Sequence, residues 1–247
     1  MAQTVDVIIP VYNEEVGLPK CISALSIFLA SRLSYLGNVV IVDNGSSDGT
    51  LPVAEELCKQ YSNVRVVHLE LKGRGRALRK SWLESSADIL VYMDVDLSTD
   101  LESLPELVAA IAEDGYHLSI GSRLMSGSRV VRSLKREIIS RTYNLLIKLM
   151  FFTKFHDAQC GFKAISGRAA QELIPKIMNQ EWFFDTELLI IAEKAGIPIK
   201  EIPVNWIDDP DSRVKVVSTA LEDIKGLLRM RFGGLTRAVR GISLGAK

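Results

Sequence analysis

The sequence predicts an α/β fold: a doubly wound, mostly parallel sheet with helices on both faces, followed by amphipathic helices towards the C-terminus. Three observations point there. Strand-length apolar runs rich in Val and Ile recur through the first half. Helical stretches separate them, as in sheets buried on both faces. A polar cluster follows each run, at the carboxyl end of the strand, where open α/β sheets bind ligands.

Taken in order, Val5–Val11 reads as a buried strand and Leu18–Leu33 as a helix. Asn38–Val42 is a strand, Thr50–Tyr61 a helix and Val64–Leu69 a third strand. Gly75–Ser85 is helical, Ile89–Met93 a fourth strand, Leu101–Glu113 a helix and His117–Gly121 a fifth strand. The second half is less regular. Ser126–Arg132 reads as a loop, Glu137–Phe151 as a long apolar helix and Asp157–Lys163 as a polar, glycine-containing segment. Ala169–Ile177 and Thr186–Ala195 are helical, Ile199–Val204 is a strand and Ser218–Phe232 a final helix. A chain of 247 residues suits one such domain over 1–232, with a first half to about residue 122 and a second over about 123–232. The glycine-bearing tail, 233–247, is expected to be flexible.

Lys+Arg and Asp+Glu balance at 30 each, which gives no sign of nucleic-acid binding. Cys21, Cys58 and Cys160 are widely spaced and form no C-x-x-C, so reduced thiols are expected. The first residues carry no basic stretch ahead of an apolar one, as a secretory signal would. No run reaches the roughly 18 apolar residues of a membrane span. These features lead to the expectation of a cytoplasmic chain.

Five polar clusters share the expected rim: Tyr12-Asn13-Glu14, Asp43-Asn44-Gly45-Ser46, Lys72-Gly73-Arg74-Gly75, Asp94-Val95-Asp96 and Ser122-Arg123. In extended chain, residues two apart project to one side. Asp94 and Asp96 would then present paired carboxylates to a divalent cation, and Mg²⁺ commonly binds through one or two carboxylates plus phosphate oxygens. The plainer alternative is a solvated loop whose acids cap the next helix. Asp43 could accept hydrogen bonds from a base or ribose, while Asp48 or Thr50 caps a helix. The loop around Gly73 could approach phosphate through its backbone, or be an ordinary basic surface loop. Arg123, Arg136, Arg141 and Arg213 could meet a phosphate acceptor, although lone arginines are most often surface residues. No G-x-G-x-x-G follows the first strand, which argues against a dinucleotide-binding oxidoreductase.

These motifs together resemble a family-two glycosyltransferase of the GT-A fold. The resemblance rests on Ile8-Ile9-Pro10-Val11-Tyr12-Asn13-Glu14-Glu15, on Val42–Thr50 and on Met93-Asp94-Val95-Asp96-Leu97-Ser98. Gly121-Ser122-Arg123 and Lys135–Arg141 resemble the polyprenyl-phosphate sugar synthases, such as the dolichyl-phosphate mannose synthases. Asp157–Lys163, Trp182–Leu189 and Pro203-Val204-Asn205-Trp206 resemble the dolichyl-phosphate β-glucosyltransferases. The likeness spans about residues 5 to 232. It implies a nucleotide-sugar donor, UDP-glucose or GDP-mannose, and a polyprenyl phosphate acceptor. It also implies Mg²⁺ or Mn²⁺ at Asp94 and Asp96, and inversion at the anomeric carbon. Pro10, Tyr12, Glu14, Asp43, Gly73 and Asp94 would hold the donor. Arg123, Arg136, Ser140 and Arg213 would surround the acceptor phosphate. Asp96, Arg123, Arg136 and Asp185 would act in the transfer, with Asp185 and Glu187 readable equally as helix-start residues. Two departures stand out: Ser98 replaces a Gln, and Arg213 replaces a Lys. Q-x-x-R-W, a mark of processive synthases, is absent, in keeping with one transfer per acceptor.

A lipid acceptor implies a peripheral enzyme on the cytoplasmic face of a membrane. Tyr143, Leu146, Ile147, Met150 and Phe151 recur at helical spacing beside Lys148 and Lys154 and could lie in an interface. The alternative is that this stripe packs on the core or on the partner of a homodimer. Arg229, Arg231, Arg237 and Arg240 with Lys225 could meet anionic lipid or form a solvated basic face.

Overall fold

The computed structural model describes residues 3–208 and 216–244. A seven-stranded sheet carries the strands β1 (Thr4–Val11), β2 (Leu36–Asn44), β3 (Val64–Leu69), β4 (Ile89–Met93), β5 (Leu118–Ser122), β7 (Phe162–Ser166) and β8 (Ile199–Pro203) in the order β3-β2-β1-β4-β7-β5-β8. All neighbours pair parallel except β7, which is antiparallel to both β4 and β5. A two-stranded parallel ribbon joins β6 (Arg129–Val131) to β9 (Asn205–Ile207).

Period-two alternation divides the core between the two faces of the sheet. Val5, Val7 and Ile9 of β1 point to one side. There they meet Leu18, Ile22 and Leu25 of helix α1 (Gly17–Arg32), α2 (Thr50–Gln60) and α4 (Leu104–Ala112). Ile8, Val40, Leu90 and Tyr92 point to the other. They meet α3 (Arg74–Glu84), α5 (Leu134–Phe151), α6 (Gly167–Leu173), α7 (Phe184–Lys194) and α8 (Val216–Arg229). Each fully buried Leu, Ile or Phe contributes about 1.5–3 kcal/mol of transfer free energy, so both layers hold the sheet firmly. Trp82 and Phe184 pack tilted, ring centroids 6.1 Å apart, and Trp82 meets Tyr92 edge-on at 6.4 Å. That aromatic cluster underlies the end of β4.

The first five strands and the helices between them lie where the apolar periodicity predicts. Three features differ. The segment read as polar loop enters β7, the strand that inserts between β4 and β5, with Lys163 fully buried at its second position. The loop expected over 126–132 includes β6, a three-residue edge strand whose outer positions are exposed. The apolar stripe proposed to lie in an interface instead packs inward: Ile147 and Phe151 are core residues, with Tyr143, Leu146 and Met150 against them. Helix α5 has a second apolar face, and that one points out. Leu134, Ile138, Leu145, Leu149 and the capping Phe152 are 56–80 % exposed. At 100° per residue they fall within about 60° of one another.

The segment from Gly233, expected to be a flexible tail, turns at that glycine (φ 113°) into the short helix α9 (Leu235–Ala238). It then returns Leu244 to the core, and Lys176 and Glu172 bond its backbone at Arg240 and Ser243.

Candidate active site

Strand β4 ends at Met93, and Asp94-Val95-Asp96 runs off its carboxyl edge. Tyr92 and Asp94, two apart, share the sheet face covered by α3 and α7. Asp94 Oδ1 accepts a 2.8 Å bond from Nη2 of Arg74, the first residue of α3. The Arg74 guanidinium lies 4.9 Å from the Tyr92 ring centroid and 4.6 Å from that of Trp182. Such cation–π contacts favour a cation held out of water. Asp96 is exposed, and its Oδ1 accepts the Ser98 amide at 2.8 Å. At the position where the sequence departs from the mannose synthases, Ser98 therefore orients Asp96 through its backbone.

Asp43 is completely buried at the end of β2, with His68 Nδ1 2.6 Å from Oδ2 and the Ser46 amide 3.3 Å from Oδ1. The neighbouring Asn44 accepts the Gly73 amide at 2.9 Å, which fastens the basic loop to β2. Gly73 adopts φ 154°, and a methyl group there would lie 2.7 Å from the Gln180 carbonyl oxygen. Its glycine is thus required by packing against the segment before α7. Lys72 Nζ sits 3.5 Å over the Tyr12 ring. Pro10 is half-buried at the end of β1, and the backbone amide of Glu14 donates to Thr50 Oγ1 at 2.7 Å.

The second half begins at Arg123. Its Nε and Nη2 grip Asp157 Oδ2 and Oδ1 at 2.8 and 2.9 Å, and its amide reaches Oδ2 at 2.9 Å. Burial pushes the Asp157 carboxyl up, but attraction to Arg123 and the hydrogen bonds from it outweigh this and hold it at about 2. Asp94 follows β4 and Arg123 follows β5, and both strands run antiparallel to β7, so their carboxyl ends share one rim. Trp206 of β9 lies 5.3 Å from the Arg123 guanidinium. Arg136, in the first turn of α5, pairs with Asp208, two residues beyond Trp206. Trp206 in β9 and Asp208 just past its end thus contact Arg123 and Arg136 respectively. Ser140, one turn along α5, is buried and its hydroxyl has no hydrogen-bond partner among the described residues. Arg141 pairs with Glu137 along the helix surface at 2.5 Å. Arg213 lies outside the described residues.

Asp185 stands behind the rim, not on it. It is 3 % exposed, with Lys163 Nζ 3.1 Å from Oδ1 and the Tyr92 hydroxyl donating to Oδ2 at 3.2 Å. Glu187 joins helices: Arg229 of α8 holds it with two bonds of 2.9 and 2.8 Å. Sequence reasoning named Arg74 only within the basic loop and passed over Tyr92, Asp157, Gly161 and Lys163 as site residues. The polar segment supplies three of them. Asp157 clamps Arg123, Lys163 neutralises Asp185, and Gly161 leaves space for the acids, since a methyl group there would overlap the Asp94 carboxylate.

The donor set fits a divalent cation of one kind. Among the described residues no cluster of three or more His, Cys, Asp or Glu forms a protein-only cage. Asp94, with its side chain 42 % exposed, and the exposed Asp96 instead make a two-carboxylate site of the sort that substrate phosphates complete.

Comparison with known proteins agrees with this geometry. The model of glycosyl transferase family 2 matches residues 6–174. Glycosyltransferase AglD of Haloferax volcanii is 35 % identical over 219 residues, 88 % of this chain but only 35 % of AglD. This chain therefore spans about a third of that relative. The dolichyl-phosphate beta-glucosyltransferases of Mus musculus and Homo sapiens are each 31 % identical over 248 residues, covering 95 % of this chain and 76 % of theirs. Glucosyl-3-phosphoglycerate synthase from Mycobacterium tuberculosis, solved with Mn²⁺ and UDP-glucose, superposes with a TM-score of 0.68. It shares 18 % identity over 94 % of this chain and 79 % of its own, a likeness of fold. The family match and the rim of paired acids and arginines lead to one conclusion: this chain is a glycosyltransferase belonging to glycosyl transferase family 2.

Proposed function

We propose that the chain transfers glucose from UDP-glucose to a polyprenyl phosphate at a membrane surface, with inversion. The observation that carries the reading is the shared rim: Asp94 and Asp96 stand on the same edge as Arg123, which is itself held by Asp157. One half suits a diphosphate donor and the other an anionic acceptor. The glucosyltransferases named for dolichyl phosphate, similar over nearly the whole chain, support this choice of sugar and acceptor.

The mechanism follows from the acceptor's charge. A lipid phosphate is an anion at neutral pH, and its oxygen needs no strong base to attack the anomeric carbon. That agrees with Asp185 being buried against Lys163. Arg123 and Arg136 would orient the phosphate, and positioning is a large part of the rate acceleration for such a reaction. Arg74, held against two aromatic rings, would offset charge developing on the leaving diphosphate. A divalent cation at Asp94 and Asp96 would supply Lewis-acid stabilisation there. Asp43, held by His68, would receive the base or ribose, and Tyr12 under Lys72 would add to the donor site.

The outward face of α5 is the membrane-facing surface in this reading. Its apolar stripe is flanked by Arg141 and Lys148, and α8 exposes Leu221, Ile224 and Leu228 beside Lys225. Apolar residues bordered by cations suit an anionic lipid interface. No described helix is long and apolar enough to cross a membrane.

Offering labelled UDP-glucose and GDP-mannose separately with polyprenyl phosphate tests the donor. Label from UDP-glucose is expected in the lipid; exclusive mannose incorporation would overturn the assignment.

A further inference from the structure

Burying a charge is costly unless it is paired, and apolar replacement of a buried ion pair is often neutral or stabilising. Lys163 nevertheless sits fully buried in the middle of the sheet, opposite Asp185, which is 3 % exposed. The pair does not end in the core. Asp185 Oδ2 accepts the hydroxyl proton of Tyr92, itself fully buried. That fixes the direction of the phenol: having donated to Asp185, it turns its lone pairs towards Arg74, whose Nη2 donates to it. The same Nη2 reaches Asp94 Oδ1 at 2.8 Å. A continuous polar chain thus runs from Lys163 through Asp185, Tyr92 and Arg74 to the first acid of the pair. It crosses an otherwise apolar layer of Trp82, Phe183 and Phe184.

Geometry at the outer end is equally restricted. The Tyr92 and Trp182 rings both lie against the guanidinium, and its Nε is buried without a hydrogen-bond partner among the described residues. Gly161 closes the remaining side, because a methyl group on it would meet both Asp94 and Arg74. Arg74 has little room to turn, and its hydrogen-bond directions are set from beneath by Tyr92.

We infer that Lys163, Asp185 and Tyr92 form a positioning relay that aims Arg74 at Asp94 and at the donor diphosphate. The inference rests on the donor reading above and adds to it that Asp185 works through Tyr92 and Arg74 instead of touching substrate. Tyr92 fixes the guanidinium, Asp185 fixes the Tyr92 hydroxyl, and Lys163 holds Asp185 from the far side without reaching the rim.

A double-mutant cycle on nucleotide binding tests the relay. Binding of UDP in the presence of Mn²⁺ is measured by calorimetry for the parent, Arg74→Ala, Tyr92→Phe and the double variant. A hydrogen bond to a charged group is worth about 1.5–3 kcal/mol, so Arg74→Ala should weaken UDP about tenfold or more. Tyr92→Phe keeps the ring and should weaken UDP severalfold. The double variant should bind like Arg74→Ala alone, because Tyr92 has nothing left to aim. A general loosening of the fold would instead give losses that multiply, and that result overturns the relay, as does unchanged binding in Tyr92→Phe. Should Tyr92→Phe not fold, Asp185→Asn replaces it in the same cycle, with the same expected loss and the same disappearance in the Arg74→Ala background. A parent that binds neither UDP nor GDP with Mn²⁺ overturns the donor reading together with the relay; a binding parent with multiplying losses overturns the relay alone.

Discussion

Arg123 and Asp157 meet fork to fork, Nε to Oδ2 at 2.8 Å and Nη2 to Oδ1 at 2.9 Å, with the carboxylate completely buried. The arginine assigned to the acceptor phosphate is therefore preorganised from behind. Paired forks of this kind fix direction as well as charge.

Asp157→Asn leaves that cation without its counter-charge. Breaking a buried pair from one side costs about 3–5 kcal/mol. For a chain of this size the melting temperature should fall by about 10 °C. The pH dependence has a definite sign. The folded Asp157 carboxyl lies at about 2 against an ordinary 3.8. Its stabilisation is complete above about pH 4 and is lost as pH falls from there towards 2. Denaturant titrations should show a large gap between parent and variant at pH 7 and a smaller one at pH 2.5.

Gly161→Ala tests the closeness of the acid pair. The added methyl would overlap the Asp94 carboxylate, so Asp94 or the β7 entry must shift. A misplacement of about 1 Å at such a site can cost a hundredfold in rate. The expected result is weak Mn²⁺-dependent UDP binding by calorimetry and turnover reduced about a hundredfold. Turnover equal to the parent would remove Asp94 from the site.

The outward face of α5 should carry membrane affinity. Leu149 and Phe152 are 66 % and 80 % exposed. Burying one large apolar side chain is worth about 1.5–3 kcal/mol, so Leu149→Glu with Phe152→Glu should cut sedimentation with anionic vesicles more than tenfold. UDP binding should be unchanged, since neither residue approaches the rim acids.

Asp223 should make the fold sensitive to alkali. Burial raises its carboxyl from 3.8 to about 7, the Glu222 and Asp185 charges add to the rise, and bonds from Gln159 and Tyr143 oppose it. The folded state therefore holds that proton better than the unfolded chain. The contribution is complete below about pH 4 and is lost as pH rises through 7. Asp223→Asn should melt several degrees above the parent at pH 8 and close to it at pH 4. An equal difference at both values would contradict this assignment.

The first five strands were legible because each is an apolar run closed by a polar cluster, and Asp94, Asp43 and Arg123 sit at those ends as read. β7 was hidden by its own chemistry. A lysine in a strand core reads as loop until Asp185, 22 residues later, is seen to neutralise it. Helix α5 misled in another way. Both of its faces are apolar, and spacing alone does not say which one the sheet covers. Arg74 was read only as part of the basic glycine loop and Asp157 only as part of the polar segment, because their roles depend on partners across the sheet: Tyr92 and Asp94 for one, Arg123 for the other. Asp185, read either as a site acid or as a helix-start residue, is buried in the layer beneath the rim.

Incubating the chain with UDP-glucose, Mn²⁺ and polyprenyl phosphate in detergent, then analysing the organic phase by mass spectrometry, is the most direct measurement. A lipid phosphate heavier by one hexose residue is expected, and a proton NMR spectrum of that product should show the β anomer. Unmodified lipid, with glucose transferred only to a water-soluble acceptor, would contradict the assignment of Arg123 and Arg136 to a lipid phosphate.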